Sequence, residues 1–222
     1  MEFHFLAYRK TGKVVAQLEA NRARILDAAR ALVFSGGFQA ASMAAVARDA
    51  GVATGTLYRY FASREAMLLD VFRAVSDAEM SRLEDIAAGP GLPAARLRDV
   101  VHAFTTRAVR GAKQAHALLA EPVDGALADE RLAYRRRHAA IFERLMREAQ
   151  AAREIPALDA HVTAAAIAGA IPSALTLHGP DNVPDADALI DTVLRMAGLD
   201  PHATKNTSNT DRNEDMSHDQ SA

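Results

Sequence analysis

The sequence has no cysteine among its 222 residues, and this absence sets the first limits on the protein. A disulfide scaffold and cysteine-ligated zinc are both excluded. The lack of thiols fits a reducing cytosol, so we expect a cytoplasmic protein. No apolar run comes near the roughly 20 residues that a membrane span needs. Residues 1–13 hold no apolar stretch long enough for a signal peptide, and we expect no contact with a membrane.

Motifs for catalysis and for metal binding are also missing. The eight histidines include no pair at the i, i+4 spacing of a helical metal site, and no carboxylate set joins them. There is no nucleophile elbow, no glycine loop that would cradle a phosphate and no dinucleotide fingerprint. We therefore predict no catalytic residue, no metal site and no cofactor, which leaves an all-helical enzyme as a remote alternative.

The charges that are present are unevenly distributed along the chain. Residues 1–75 hold ten Lys and Arg against six Asp and Glu, whereas the remainder holds sixteen against twenty-two. A basic N-terminal third on an acidic body suggests that one end of the molecule meets a polyanion. Chance variation of surface charge is the competing interpretation.

Apolar residues recur at helical spacing along nearly the whole chain, which predicts an all-α protein. Residues 36–37 and 89–93, rich in glycine and proline, are predicted to end helices. Residues 1–20 are predicted to form a flexible basic arm, and residues 200–222 a disordered polar tail. The predicted helices cover residues 22–35, 43–50, 54–60, 94–110, 114–120, 127–153, 158–178 and 185–196, with a further helix after Ser63.

Residues 42–61 carry the most informative pattern, a helix, a tight turn and a second helix. Gly51 supplies a residue that tolerates the left-handed conformation of such a turn. Small alanines at 44, 45 and 47 allow a steep crossing, and Val46, Val52 and Leu57 are placed to form the core between the two helices. This arrangement predicts a helix-turn-helix, which presents its second helix to the DNA major groove.

The predicted second helix has no acidic residue and several hydroxyl groups. Its N-terminal N–H groups suit a phosphate. Tyr58 and Tyr60 are able to donate hydrogen bonds to phosphates, and Arg59 is able to bind a phosphate or a guanine edge. An ordinary helical hairpin is the alternative interpretation of the same residues.

The segment from Arg22 to Val75 resembles the DNA-binding domain of the TetR/AcrR family of regulators. The matching residues are 24–29, Phe34, 36–38, 42–43, 46–47, 50–52, 55–61 and 63–65. The resemblance implies a DNA-binding head of three N-terminal helices over residues 21–66, with the helix-turn-helix at 42–61. It also implies a helical ligand-binding and dimerisation domain over residues 67–199, with about nine helices in all.

The resemblance also implies which residues meet DNA. Ser42 and Met43 become phosphate contacts, and residues 54–56 face the groove. Ala53 stands where the family often has Ser or Thr, so we expect Thr54 to cap the second helix. The full set of predicted DNA contacts is Arg22, Ser42, Met43, Thr54, Gly55, Thr56, Tyr58, Arg59, Tyr60 and Arg64.

A small-molecule pocket and a dimer interface follow from the same resemblance. The helices at 158–178 and 185–196 are expected to pair with their copies across a two-fold axis, because a helix that is apolar on most faces must be covered on most faces. Burial within one subunit is the alternative. The candidate pocket residues, for which filling the core is the competing role, are Phe104, Arg107, His116, Leu119, Tyr134, His138, Phe142, Ile167 and Ile171.

Together these features predict a sequence-specific, homodimeric transcriptional repressor that a small molecule releases from double-stranded operator DNA. A ligand that prefers a body conformation with a different spacing of the two recognition helices must weaken DNA binding. A regulator that activates, or that responds to no ligand, is the alternative with the same head.

Overall fold

The computed structural model describes residues 12–123, 125–179 and 181–202. Within these ranges the chain is built of α-helices and connecting turns, with no β-strand, and the predicted all-α fold is confirmed. The elements are α1 (Gly12–Ala40), α2 (Met43–Asp49), α3 (Thr54–Leu57), α4 (Arg64–Ala87), α5 (Pro93–Arg110), α6 (Ala112–Ala115) followed by a π-helical turn (His116–Ala120), α7 (Gly125–Ala151), α8 (Ala160–His178) and α9 (Ala186–Met196).

Local capping signals set the starts of two helices. The Ser42 Oγ accepts a hydrogen bond from the Ala45 N–H at 3.2 Å at the start of α2. The Ser63 Oγ accepts from the Ala66 N–H at 3.1 Å at the start of α4. Each such cap stabilises a helix by about 1 kcal/mol. Both predicted caps are therefore confirmed.

The first helix begins earlier than predicted, whereas the predicted break at Gly36 and Gly37 is confirmed. Residues 12–20, assigned to a flexible arm, are helical, because this stretch lacks proline and is rich in good helix formers. At Gly36 and Gly37 the backbone leaves helical geometry, with φ of 73° at Gly37. The rest of the predicted arm, residues 1–11, and residues 203–222 of the predicted tail lie outside the described residues.

Helices α1, α2 and α3 form the head. Its core contains Ile25 and Val33 from α1, Val46 from α2 and Leu57 from α3, and all four are fully buried. Helix α4 packs against α1 and also against α5 and α7. The boundary expected at residues 66–67 therefore falls inside one continuous helix, which mechanically joins the head to the rest of the molecule.

Helices α5 to α9 and the π-helical turn form the body. The connection from α4 turns at Gly91, with φ of 105°, and Pro93 occupies the first turn of α5. Helix α7 packs extensively against α8, and α5 packs against both α7 and α9. Leu97 of α5, Phe142 of α7 and Ile167 of α8 are fully buried, so the core runs through these three helices.

Helix α8 requires a correction. By length and composition alone it is apolar enough to cross a membrane, contrary to the expectation that no run approached that length. Its Ala164, Ile167 and Ile171 are fully buried in the core, and core helices pass the same test. The opposite face carries exposed apolar side chains, with Val162 at 62% and Leu177 at 85% exposure. One side of α8 therefore leaves apolar side chains exposed to solvent in a single subunit.

Candidate nucleic-acid interface and ligand cavity

Gly51 makes the turn between α2 and α3. Its φ is 65°, in the left-handed region, and a Cβ built there would meet nothing within 4 Å. The following Val52 N–H donates to the Ala47 carbonyl oxygen at 2.9 Å and closes the turn. Glycine is needed here for its backbone conformation rather than for space, which is the role expected of it.

Helix α3 is shorter than predicted. Ala53 is extended and precedes the helix without a side-chain cap, so the expectation that Thr54 caps it is wrong. Regular helix covers Thr54–Leu57, and the chain then continues as turns to Phe61, whose N–H donates to the Leu57 carbonyl oxygen at 3.1 Å. The buried side chains of Leu57 and Phe61 anchor both ends of this short segment.

Most of the predicted groove-facing residues lie in solvent. Thr54, Gly55 and Arg59 are exposed, and Tyr58 is 54% exposed. No acidic residue occurs between Gly51 and Glu65. A Cβ at Gly55 would meet nothing within 4 Å, so the backbone is open to a close approach. Exposed hydroxyls, a cation and an uncovered backbone suit a polyanion.

Other predicted DNA contacts are already engaged in contacts within the chain. The Arg22 guanidinium pairs with Asp70 of α4 and lies 5.2 Å from the Phe61 ring centroid. The Tyr60 hydroxyl accepts a hydrogen bond from the Asn21 side chain at 3.3 Å. Both residues position α3 against α1 and α4, and their contacts with DNA stay predictions.

Met43 and Arg64 have structural roles that the sequence did not indicate. The Met43 side chain is 8% exposed and packs in the core, so only its backbone remains for a phosphate. The Arg64 Nε donates to the Ala41 carbonyl oxygen at 3.1 Å, and its Nη2 donates to the Phe38 carbonyl oxygen. Arg64 thereby holds the α1–α2 connection. Exposed Ser42 and half-buried Thr56 complete the predicted set.

A cavity of about 320 Å³ lies where the head meets the body. Four predicted pocket residues line it, namely Phe104, Arg107, Leu119 and Tyr134. The other lining residues are Arg30, Phe34, Ala74, Val75, Ser76, Ala78, Glu79, Arg82, Ala108, Gly111, Gln114, Ala115 and Leu118. Because Arg30 and Phe34 belong to α1, the cavity shares a wall with the head.

The remaining five predicted pocket residues do not line this cavity. Phe142, Ile167 and Ile171 are fully buried where α7 and α8 pack, so they fill the core. His116 lies in the π-helical turn and is partly buried. His138 is 2% exposed and sits behind the cavity wall. Apolar periodicity alone does not separate a cavity wall from the core, and a ligand contact at these five residues stays a prediction.

His138 lies in a cluster of aromatic rings. Its ring centroid is 4.1 Å from that of Phe104 and 4.8 Å from that of Phe142. Burial lowers the pKa of His138 to about 3, so the imidazole is neutral near pH 7. Its Nε2 has no hydrogen-bond partner among the described residues. Throughout the residues that the structure describes, no group of His, Asp and Glu is placed to hold a metal ion.

The polar part of the cavity is mostly cationic. Arg107 of α5 pairs with Glu79 of α4, with 2.6 Å between Nη2 and Oε1, and Arg82 approaches the same carboxylate at 3.5 Å. Arg30, which pairs with Asp27 at 2.9 Å, also lines the cavity, so the lining holds three guanidiniums and one carboxylate. Burial and the nearby Glu79 carboxylate raise the pKa of Tyr134, so its hydroxyl stays protonated. Glu79 and Arg107 come from different helices, and Arg82 lies three residues after Glu79 on α4. No sequence signal indicated that Arg30, Glu79 or Arg82 would line a cavity.

Comparison with known proteins agrees with this geometry. A model described as bacterial regulatory proteins, tetR family, matches residues 25–71, which include α2 and α3. A second, described as the tetracyclin repressor-like C-terminal domain, matches residues 90–197, from α5 to α9. The two matches lie one on the head and the other on the body.

Individual proteins are similar over different spans. The transcriptional repressor KstR of Mycolicibacterium smegmatis is 40% identical over 80 residues, 36% of this chain and 39% of KstR, so about two fifths of that relative is spanned. A TetR/AcrR-family regulator from Thermobifida fusca YX-ER1 has a TM-score of 0.66 at 25% identity, covering 84% of this chain and 99% of that one. FadR from Bacillus subtilis, in complex with stearoyl-CoA, has a TM-score of 0.67 at 23% identity, covering 79% and 97%. The resemblance in the sequence is confirmed, and the chain belongs to the TetR family of bacterial regulatory proteins.

Proposed function

We propose that this chain is a DNA-binding transcriptional repressor that works as a homodimer in the cytoplasm and is released from its operator by a small molecule. The observation that carries the proposal is the exposed, acid-free surface of α3 and the turn after it, with Thr54, Gly55, Tyr58 and Arg59. Membership of a family of regulatory proteins and the similarity to the repressor KstR support it.

In this mechanism α3 enters the major groove and the rest of the head fixes its angle. Gly51 and the Leu57–Phe61 anchor hold α3 outward, and Arg59 and Tyr58 reach phosphates or base edges. In a dimer the two copies of α3 enter successive major grooves roughly 34–36 Å apart. Operator half-sites are expected at that spacing.

The DNA contact is tested by removing one charge from the turn that follows α3. Genome-wide selection of DNA fragments bound by the purified protein first identifies the operator.

We expect Arg59→Ala to weaken operator binding by about 1–3 kcal/mol, because the variant lacks the charge-assisted contact that Arg59 makes. Electrophoretic mobility shift at fixed salt measures this loss. Arg136→Ala, which removes an exposed arginine from α7, is the matched control and should bind normally. Equal operator affinities for the two variants would show that Arg59 and the segment around α3 do not contact the operator.

We also propose that the cavity binds an acidic, amphipathic effector. The walls combine apolar side chains, such as Phe34, Phe104 and Leu118, with three arginines against one carboxylate. An anionic group would pair with the arginines while an apolar group covers the aromatic wall. The cavity volume of about 320 Å³ suits a small ligand or part of a larger one.

A panel of acyl-CoA thioesters that includes stearoyl-CoA tests the effector class. We expect at least one member to bind and to lower operator affinity. Arg82→Gln should weaken that binding about tenfold, because one cationic partner is lost. The matched control is Arg144→Gln, whose arginine pairs with Glu84 of α4 outside the cavity. A panel that leaves operator affinity unchanged would favour a regulator that responds to no ligand of this class.

A further inference from the structure

Glu121, directly after the π-helical turn, reaches from the body into the head. Its Oε2 accepts a hydrogen bond from the Phe38 N–H at 2.9 Å. The same oxygen would lie 2.5 Å from a Cβ at Gly37, whose φ is 73°. The carboxylate therefore occupies the space that a side chain at residue 37 would need. This contact joins two residues that are 83 positions apart.

On the body side, Glu121 moves with the wall of the cavity. Leu118 and Leu119 of the π-helical turn line the cavity. Arg131 of α7 is 8% exposed and donates to the Glu121 carbonyl oxygen at 2.5 Å and to the Ala117 carbonyl oxygen at 3.1 Å. Burial lowers the pKa of Arg131 to about 10, so it remains a cation near pH 7. Arg131 thus holds Ala117 and Glu121 as one unit around the turn.

On the head side, the hydrogen bond ends at a residue that positions α2. Phe38 is 3% exposed, and its carbonyl oxygen accepts from Arg64 at the start of α4. Arg64 also binds the Ala41 carbonyl oxygen, next to the cap of α2. The N–H of Phe38 is held by the body and its carbonyl by α4. A displacement of Glu121 would therefore act on the segment that leads into the helix-turn-helix.

We infer that Glu121 is the positioning residue that couples filling of the cavity to the geometry of the head. This inference rests on the proposed function, since it supplies a route from the effector to α3. A group that fills the cavity presses on Leu118 and Leu119, and the π-helical turn carries Glu121 with it. The bond to Phe38 then lengthens, and the α1–α2 connection is released. π-Helical turns are frequent at functional sites, which agrees with this role.

Hydrogen exchange of the Phe38 amide, resolved by NMR on the full chain, reports the link directly. Glu121→Gln keeps the shape and removes the charge, and charge-assisted hydrogen bonds are roughly twice as strong as neutral ones. We expect about tenfold faster exchange at Phe38. Glu154→Gln is the matched control, because the Glu154 Oε2 accepts the Ala94 N–H at 2.7 Å inside the body. The control should leave Phe38 exchange unchanged.

A substitution that fills the cavity tests whether Glu121 couples the cavity to Phe38 or only makes a structural contact with it. Ala108→Phe places a ring in the cavity from α5, an element separate from both the π-helical turn and α4. We expect it to accelerate Phe38 exchange, and to add less acceleration when Glu121→Gln is also present, because a weaker hydrogen bond is left to break. Ala78→Phe, from α4, is the second filler if Ala108→Phe does not fold.

The outcomes distinguish this link from the proposed function. Additive effects of Ala108→Phe and Glu121→Gln, or unchanged exchange in either single variant, would overturn the coupling role of Glu121. The measurement needs neither operator nor effector, so a failure of the wild type to bind DNA appears separately, in the mobility-shift experiment. Combined with Glu154→Gln, the filler should give a simple sum of effects at Phe38.

Discussion

At the scale of single residues, His138 combines an ionisable group with nearly complete burial. Its ring packs among Phe104, Tyr134 and Phe142, and its Nε2 has no partner among the described residues. A protonated imidazole at this position would lose its hydration without gaining a counter-charge. The folded protein therefore excludes a proton that the unfolded chain accepts.

The stability of the fold should depend on pH through His138. Its pKa is about 3 when folded and 6.5 in the reference state, so the unfolded chain binds more protons between these values. Stability must fall as the pH drops below about 6.5. Relative to His138→Phe, the wild type should lose about 2 kcal/mol of unfolding free energy between pH 7.5 and pH 5. Urea titrations at both pH values measure this, and His138→Leu is a second variant. Parallel curves for wild type and variants would show that His138 titrates normally.

At the scale of elements, α8 has one face in the core and one in solvent. The exposed face repeats small and apolar residues at helical spacing, which lets a second helix approach closely. Its members are Val162, Ala165, Ala166, Gly169, Ser173, Thr176 and Leu177. Burying such a face against its own copy removes apolar surface from water at about 25 cal/mol per Å².

A charge placed on this face of α8 should therefore prevent dimerisation. Leu177 is 85% exposed in the single subunit, and we expect Leu177→Arg to sediment as a monomer at micromolar concentration where the wild type is a dimer. Leu92→Arg, at a leucine that is 62% exposed near the start of α5, is the matched control. If both variants remain dimeric, the interface does not include this end of α8.

The sequence predicts some structural features better than others. Features that depend on residues close together in the sequence are predicted well, and contacts between separate helices are not. The caps at Ser42 and Ser63 and the turn at Gly51 depend on neighbouring residues, so they were predicted correctly. The pairing of Glu79 with Arg107 depends on how α4 and α5 meet, and no short motif indicates it. The same limit explains why the sequence did not indicate that Arg64 holds two backbone carbonyls, and its contact with a phosphate stays a prediction.

At the scale of the whole molecule, α4 and the Glu121–Phe38 bond form two connections between the body and the head. Helix α4 runs from the helix-turn-helix past the cavity, to which it contributes Glu79 and Arg82. A ligand between α1, α4 and α5 touches both units. The distance between the two copies of α3 in a dimer is therefore open to adjustment from the cavity.

Binding of operator and effector should be reciprocal in this arrangement. If an effector lowers operator affinity by some factor, saturating operator DNA must lower effector affinity by the same factor. Isothermal titration of the effector with and without operator measures the second factor, and mobility shift measures the first. Unequal factors would mean that the effector competes at a different site or changes the oligomeric state.

The wall that Arg30 and Phe34 provide has a consequence for how such a protein diversifies. These two residues belong to α1, so a mutation that reshapes the cavity there also alters the packing of the head. Substitutions in α5 and α6, at Ala108 or Gln114, change the cavity without changing a residue of α1. Descendants that acquire a new chemical signal while keeping their target genes are expected to vary at Ala108 and Gln114 and to retain Arg30 and Phe34.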